Sequence, residues 1–226
     1  MTEAEDLQAA AQARGLPIQN MAALRQALTH KSLVPQRPLD SNERLEFLGD
    51  SVLGLVVNEY LCATYPNRGE GELAKAKALI VCKTALAAAA RRLNLPALLR
   101  LGRAEEAMGG RNRTSIAADA FEALVAVIYH EGGLPAARDF ILTTLAPEIE
   151  AVNAVRDWRD PKTVLQEKRQ AAHQSAPDYH VLSEQGQAHD KTFVVEVRLD
   201  GLAAGSGAGK SKKEAEQAAA EMALAQ

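Results

Sequence analysis

The chain has 226 residues, a formal net charge of -3 and a sequence pI near 6.0. It therefore cannot hold nucleic acid by bulk positive charge, and any such site must be a local patch. Apolar residues make up 47% and aromatics only 4%, with Ala and Leu dominant, which favours helices over a sandwich or barrel.

No apolar run approaches the roughly 18–20 residues of a membrane span. The N-terminus MTEAEDLQAAAQARG is too acidic and polar for a signal peptide. The two cysteines, Cys62 and Cys82, form no CxxC pair and no disulfide framework. A reduced, cytoplasmic setting is expected, with both as small buried hydrophobes.

Residues 1–150 read as successive helices. Met21, Leu24 and Leu28 mark one from Met21 to Thr29. Ser41 or Asn42 can cap a long helix from near Glu43 toward Tyr65. Pro66-Asn67-Arg68-Gly69 is a turn, and a further helix is expected from about Gly71 to Leu93, ended by Asn94-Leu95-Pro96. After the polar loop Gly109 to Arg113, Thr114 or Ser115 opens a helix through Ile128. Gly132-Gly133-Leu134-Pro135 closes it, and a last helix reaches about Val152.

The character changes near residue 155, where the charged stretch Arg156 to Pro161 suits a linker. Lys162 to Ala172 reads as a helix. His180 to Leu182, Thr192 to Leu199 and Leu202 to Ser206 read as strands, and Ser211 to Ala225 as an Ala-rich helix. In the second strand Phe193, Val195 and Val197 alternate with Val194, Glu196 and Arg198 at period two. The expected fold is an all-α domain at residues 1–152, a linker at 153–159, and a small α+β domain at 160–226 with the order α-β-β-β-α. Neither part is a basic tail: residues 1–159 carry 18 Lys and Arg against 19 Asp and Glu, and the remainder 8 against 10.

The most informative stretch is Asn42-Glu43-Arg44-Leu45-Glu46-Phe47-Leu48-Gly49-Asp50-Ser51-Val52-Leu53. On a helix Glu43, Glu46 and Asp50 fall at i, i+3 and i+7 and share one face. Like charges so spaced repel, and a bound cation is a reason to keep them. A second pair, Asp119 and Glu122, lies at i, i+3 in a helix otherwise built of Phe121, Leu124, Val125 and Ile128. If the two helices pack, four acids can converge on a metal site that activates water and neutralises a phosphate. Taken singly, each acidic pair reads more simply as a solvated helix face.

The pattern is longer than one pair. The first stretch resembles the signature of the ribonuclease III family, and Asp119-Ala-Phe-Glu122-Ala-Leu resembles that family's second acidic motif. Ala27-Leu-Thr-His30-Lys-Ser32, Glu70-Gly71, and Gly109-Gly110 with Ser115 resemble further family positions, so the likeness covers nearly the whole chain. It implies that Glu46, Asp50, Asp119 and Glu122 are the catalytic metal ligands. Glu43 and Glu70 match outer acidic positions that assist RNA contact or metal hydration. The expected ion is Mg²⁺, with Mn²⁺ as substitute. The chain departs from the family pattern at Ala117-Ala118, Ala126 and His130-Glu131, which concern packing and leave the ligands in place. His30 could serve as a general base, but it reads rather as structural, bonding a neighbouring helix end, because the family has no catalytic histidine there and metal-bound water needs none.

In the second domain Asp160 to Glu167, Gly186 to Phe193 and Gly207 to Glu216 resemble, in order, three parts of a double-stranded RNA-binding domain. Lys210, Lys212 and Lys213, with Ser211, gather where a helix begins and its dipole favours phosphate. The resemblance lays Thr163, Gln166, Glu167 and Gln170 along a shallow minor groove and carries His189 to an adjacent one. A near-match to a phosphate-binding P-loop, Gly205 to Ser211, has only three residues before Gly-Lys where four are needed, so no nucleotide cofactor is expected.

Together these imply a homodimeric endonuclease that hydrolyses double-stranded RNA with divalent-metal-activated water. Staggered ends, a 5′-phosphate and a 3′-hydroxyl would result, on structured RNA such as ribosomal precursors. In the family, Phe47 and Leu48 lie at the subunit contact. The alternative is a non-catalytic double-stranded RNA-binding protein on the same fold, but it would have lost ligands that are all present here. A hydrolase of small phosphoesters would not need residues 160–226, and a helical scaffold explains neither motif set.

Overall fold

The computed structural model describes residues 3–154, 160–186 and 191–225. Contacts divide the chain into two units, Met1–Arg156 and Asp157–Gln226. The first is helical and the second is a helix-backed antiparallel sheet, as the composition and periodicity imply. No helix among the described residues is long and apolar enough to cross a membrane.

In the helical unit α1 (Glu3–Gln12) and α2 (Met21–Ala27) precede α3 (Glu43–Thr64). Then come α4 (Glu70–Ile80), α5 (Lys83–Arg92), the short α6 (Arg103–Ala107), α7 (Thr114–Thr144) and α8 (Ala146–Ala154). The acidic N-terminal stretch is thus a helix, tied down through buried Ala11. The unit is built around α7. Ile116, Ala117, Ala118 and every residue from Ala120 to Ile128 are buried, so this part of the helix is enclosed on nearly all sides. Helices α2, α3 and α5 pack against it.

Three local expectations are corrected. The helix expected over 71–93 is two, because Val81 leaves helical geometry and Cys82 is extended at the N-cap of α5. No Gly or Pro marks that break. Ile80, Val81 and Thr84 are β-branched, and the Cys82 thiol pairs with the Thr84 hydroxyl at 3.0 Å, offering the backbone a competing local arrangement. Gly132-Gly133, by contrast, closes the first helical stretch of α7 as expected: Gly133 takes φ +66 and ψ -168, outside helical geometry, and a second helical stretch runs through Pro135 to Thr144. The expected caps also differ in part. Asn42 does take the N-cap position of α3, though without a side-chain bond, while the Ser41 hydroxyl accepts from the Glu43 amide at 3.5 Å; at α7 it is Arg113, rather than Thr114 or Ser115, that takes the N-cap position. Finally, Cys62 and Cys82 are both exposed, one on the outer side of α3 and one in the α4–α5 turn.

The second unit runs α9 (Pro161–Ala171), β1 (Asp178–Gln185), β2 (Thr192–Leu199), β3 (Leu202–Gly209) and α10 (Lys212–Leu224). The strands pair in the order β1-β2-β3, all antiparallel. Both outer strands exceed their expected lengths. Val195 and Val197 of β2 are buried with Leu165, Ala215, Ala219 and Ala220, so the period-two face is the one the core uses. Asp200 and Gly201 both have positive φ, +52 and +82, which fits the two-residue hairpin turn joining β2 to β3. Opposite Phe193, Val195 and Val197 stand Gly209, Gly207 and Gly205. A Cβ at Gly207 would lie 2.3 Å from the Ala219 amide nitrogen, so α10 can rest on the sheet only because these positions lack side chains. The P-loop-like stretch is therefore strand β3 followed by a helix cap.

Candidate metal centre and RNA-binding surface

The acids of α3 and α7 meet where these helices cross. A Cβ at Gly49 would fall 1.8 Å from the Glu122 carbonyl oxygen, so this glycine, between Glu46 and Asp50, allows the backbones to touch. The result is a trio: Glu46, Asp119 and Glu122 each offer a carboxylate oxygen within 4.8 Å of the others. Such a set of hard oxygen donors suits a divalent cation of the Mg²⁺ type.

Asp50 is exposed and outside the trio, although its charge is the strongest of the carboxylates acting on Glu122. It lies one turn beyond Glu46 on the same face of α3, as neighbours at i and i+4 do, at the solvent edge of the cluster. Glu43 points elsewhere: it accepts from the Lys31 ammonium at 2.9 Å, which holds its carboxyl below the usual range. Glu70 is the exposed first residue of α4 and is not in the trio.

The site is electrostatically tense. Burial pushes the Glu122 carboxyl up to about 7, helped by the charges of Asp50, Glu46 and Asp119. Glu46 is also raised, by burial and then by Asp119. Lys83 counters them most directly, and Lys31 also acts on Glu46. The Lys83 ammonium lies 3.2 Å from Asp119 Oδ1, and its charge also acts on Glu46 and Glu122. Sequence reasoning missed Lys83, because a helix drawn unbroken from Gly71 to Leu93 places it mid-helix rather than at the turn facing α7.

His30 stands apart from the chemistry. Its Nδ1 accepts from the Ser32 amide and pairs with the Ser32 hydroxyl at 2.8 Å, capping its own 3₁₀ turn rather than a neighbouring helix, and burial lowers its pKa. Glu131, one of the departures from the family pattern, accepts the amides of Gln19 and Asn20 at 2.8 Å each and so fastens α7 to the start of α2.

In the second unit Thr163, Gln166, Glu167 and Gln170 form an exposed stripe on α9, opposite the buried Val164, Leu165 and Arg169. Lys210, Lys212 and Lys213 are exposed where α10 begins. Ser211 caps that helix by accepting from the Glu214 amide at 3.2 Å. The Glu214 carboxylate accepts from the Lys210 amide at 2.8 Å, so two of the amide donors expected there are already used. His189 lies outside the described residues. Arg169, also missed, is buried and ties α9 to the hairpin turn through Asp200 at 2.5 Å, with Ser175 and Gln174 as further partners. Nothing in a run of helix residues announces such a pairing.

Comparison with known proteins places both units. A family model described as ribonuclease-III-like matches residues 20–149, and one for the double-stranded RNA binding motif matches residues 161–226. Ribonuclease 3 of Desulforamulus reducens is 50% identical over 212 residues, covering 91% of this chain and 85% of that protein. Ribonuclease 3 of Heliobacterium modesticaldum is 46% identical over 214 residues, covering 93% and 90%. The solved nuclease domain of ribonuclease III from Campylobacter jejuni superposes with a TM-score of 0.56 at 36% identity, covering 66% of this chain and 99% of that one. With an acidic centre at the crossing of α3 and α7, and a double-stranded RNA binding motif beyond it, the chain belongs to the ribonuclease III family.

Proposed function

We propose that this chain is an endoribonuclease that hydrolyses phosphodiester bonds of double-stranded RNA at the acidic centre, with Glu46, Asp50, Asp119 and Glu122 holding Mg²⁺. The observation that carries the reading is the convergence of Glu46, Asp119 and Glu122 within 4.8 Å against the core. A divalent ion there supplies positive charge to a phosphodiester and to an attacking water. The protein supplies placement. Helices α3 and α7 bring the carboxylates together from two directions, and Asp50 is poised at the solvent edge to join them. Water adds at phosphorus as the bond to the 3′ oxygen breaks. That oxygen takes up a proton, leaving a 3′-hydroxyl and a 5′-phosphate.

The second unit holds the duplex. The α9 stripe suits contact with 2′-hydroxyls across a minor groove, and Lys210, Lys212 and Lys213 suit phosphates. We assign the domains to residues 1–152 and 160–226, with RNA contact extending to His189.

A homodimer fits the reading. Phe47 is 78% exposed and lines a groove with Arg44, Leu45, Leu48, Gln26 and His130. A solvated phenylalanine of this kind suits an anchor for a second copy. Because Phe47 adjoins Glu46 on α3, a two-fold contact there would also set the spacing of two centres across one duplex and stagger the ends. Structured cytoplasmic RNA, ribosomal precursors included, is the substrate class.

The test is cleavage of an end-labelled RNA duplex with Mg²⁺ and with EDTA, beside the matching single strand and a DNA duplex. Cutting of duplex RNA alone, abolished by EDTA, is expected. Binding without cutting under every divalent ion would overturn the catalytic reading.

A further inference from the structure

Lys83 is placed where its own helix does not favour it. It is the first residue of α5, and a cation in the first turn opposes the helix dipole, whereas Arg91 and Arg92 in the last turn agree with it. What offsets this is across the helix interface: Nζ is 3.2 Å from Asp119 Oδ1, and Glu46 and Glu122 lie within reach of its charge. The lysine side chain is 63% exposed while that of Asp119 is 21% exposed. The ammonium therefore reaches in from solvent and can withdraw without becoming an unpaired buried charge. A divalent ion seated by the trio must compete with it for Asp119, because two cations so close repel each other.

We propose that Lys83 is a positioning residue that acts as the resident counter-ion of the acidic centre. It holds Asp119 toward the site and relieves repulsion among the carboxylates between ion-binding events, and it weakens ion binding in doing so. This rests on the reading of Glu46, Asp119 and Glu122 as the metal centre.

The experiment uses the full chain, stripped of ions by EDTA and dialysed, and titrated with Mn²⁺ while free Mn²⁺ is followed by electron paramagnetic resonance. Lys83→Met and Lys83→Gln are expected to bind Mn²⁺ about fivefold more tightly, the factor that corresponds to the upper end of an exposed ion pair. Both should unfold at lower temperature than the parent in EDTA and recover with Mn²⁺, while Lys83→Arg keeps the parent's behaviour in both measurements. Unchanged or weaker Mn²⁺ binding in Lys83→Met and Lys83→Gln overturns the counter-ion role. Glu46→Gln separates the two levels. If it loses Mn²⁺ binding while the Lys83 variants leave affinity unmoved, only the role of Lys83 fails. If the parent chain shows no saturable Mn²⁺ binding, or Glu46→Gln binds as the parent does, the metal centre fails and the counter-ion with it.

Discussion

In the helical unit the charged groups of interest press against the core. Glu122 is 9% exposed, in a helix whose neighbours from Ala120 to Ile128 are buried, and three carboxylates share a space of 4.8 Å. In the second unit the corresponding groups stay in water. Thr163, Gln166, Glu167, Gln170 and the lysines at the start of α10 are exposed, and the one buried cation, Arg169, is paired among the described residues. Both units use glycine to bring elements into contact, at Gly49 between α3 and α7 and at Gly205, Gly207 and Gly209 beneath α10. In the second unit the close approach only makes a dense core. In the first it forces like charges together, an arrangement that costs stability unless a cation joins it. The binding surface carries no such cost, so its residues should act nearly independently, whereas those of the centre should act as one.

Removing members of the acidic centre is the most severe test of that difference. Asp50→Asn, Asp119→Asn and Glu122→Gln should each lower cleavage at least roughly 1000-fold, since charge stabilisation by a bound ion is worth several kcal/mol. Duplex binding, read by gel shift in EDTA, should stay within about twofold, because binding energy resides mainly in phosphate contacts made elsewhere. A variant that lost binding as fully as cleavage would show its carboxylate to be structural.

The glycines sharpen the comparison next. Gly49→Ala must push α3 from α7, since the added carbon would sit 1.8 Å from the Glu122 carbonyl oxygen. A shift of about 1 Å between catalytic groups can lower the rate roughly 100-fold, so cleavage and Mn²⁺ affinity should fall together. Gly207→Val should instead destabilise the second unit, by about 1–3 kcal/mol for overpacking, and weaken RNA binding with Mn²⁺ affinity intact. Equal effects of the two substitutions on Mn²⁺ affinity would erase the distinction between the units.

Much of this is legible in the sequence. Glu43, Glu46 and Asp50 declare an acidic helix face by spacing alone, and Asp119 with Glu122 stand out because their neighbours are apolar. Strand β2 was found to the residue, Thr192–Leu199, because one face is buried and period two then fixes the pattern. The failures share a cause: partners distant in sequence. The break at Val81 and Cys82 has no Gly or Pro, so Lys83 could not be placed opposite Asp119. Arg169 resembles any helix-surface arginine until Asp200 arrives across the fold. Gly49 was visible within the signature, but its role depends on a carbonyl 73 positions away, that of Glu122.

A smaller effect follows from the strain on Glu122. Its carboxyl is raised from 4.5 to about 7, chiefly by burial. Between those values the folded chain keeps a proton that the unfolded chain has released. Stability from this group is therefore fully present below about pH 4.5 and is lost as pH rises through about 7. In EDTA, Glu122→Gln should raise the unfolding temperature at pH 8, by the equivalent of about 1–2 kcal/mol after solvent screening. At pH 5 it should change little, and Mg²⁺ should reduce the loss of stability at high pH in the parent alone. Equal shifts at pH 5 and pH 8 would mean that Glu122 carries no such strain.

The smallest effect distinguishes two lysines in the same local position. Lys83 is the first residue of α5 and Lys212 the first residue of α10, so both oppose a helix dipole. Lys83 has a protein carboxylate at 3.2 Å, whereas Lys212 stands over the Phe193 ring at 5.9 Å, exposed toward solvent. Among the described residues no carboxylate forms an ion pair with Lys212, only the charge of Glu184 acting on it from farther away, so it is suited to a phosphate, which the helix N-terminus would also favour. Lys212→Ala should weaken duplex binding a few-fold and reduce the slope of log affinity against log salt by about 1. Lys83→Met should leave that slope untouched. If both substitutions lowered the salt slope alike, Lys83 would be a phosphate contact as well, and the line drawn here between an inward-facing and an outward-facing cation would fall.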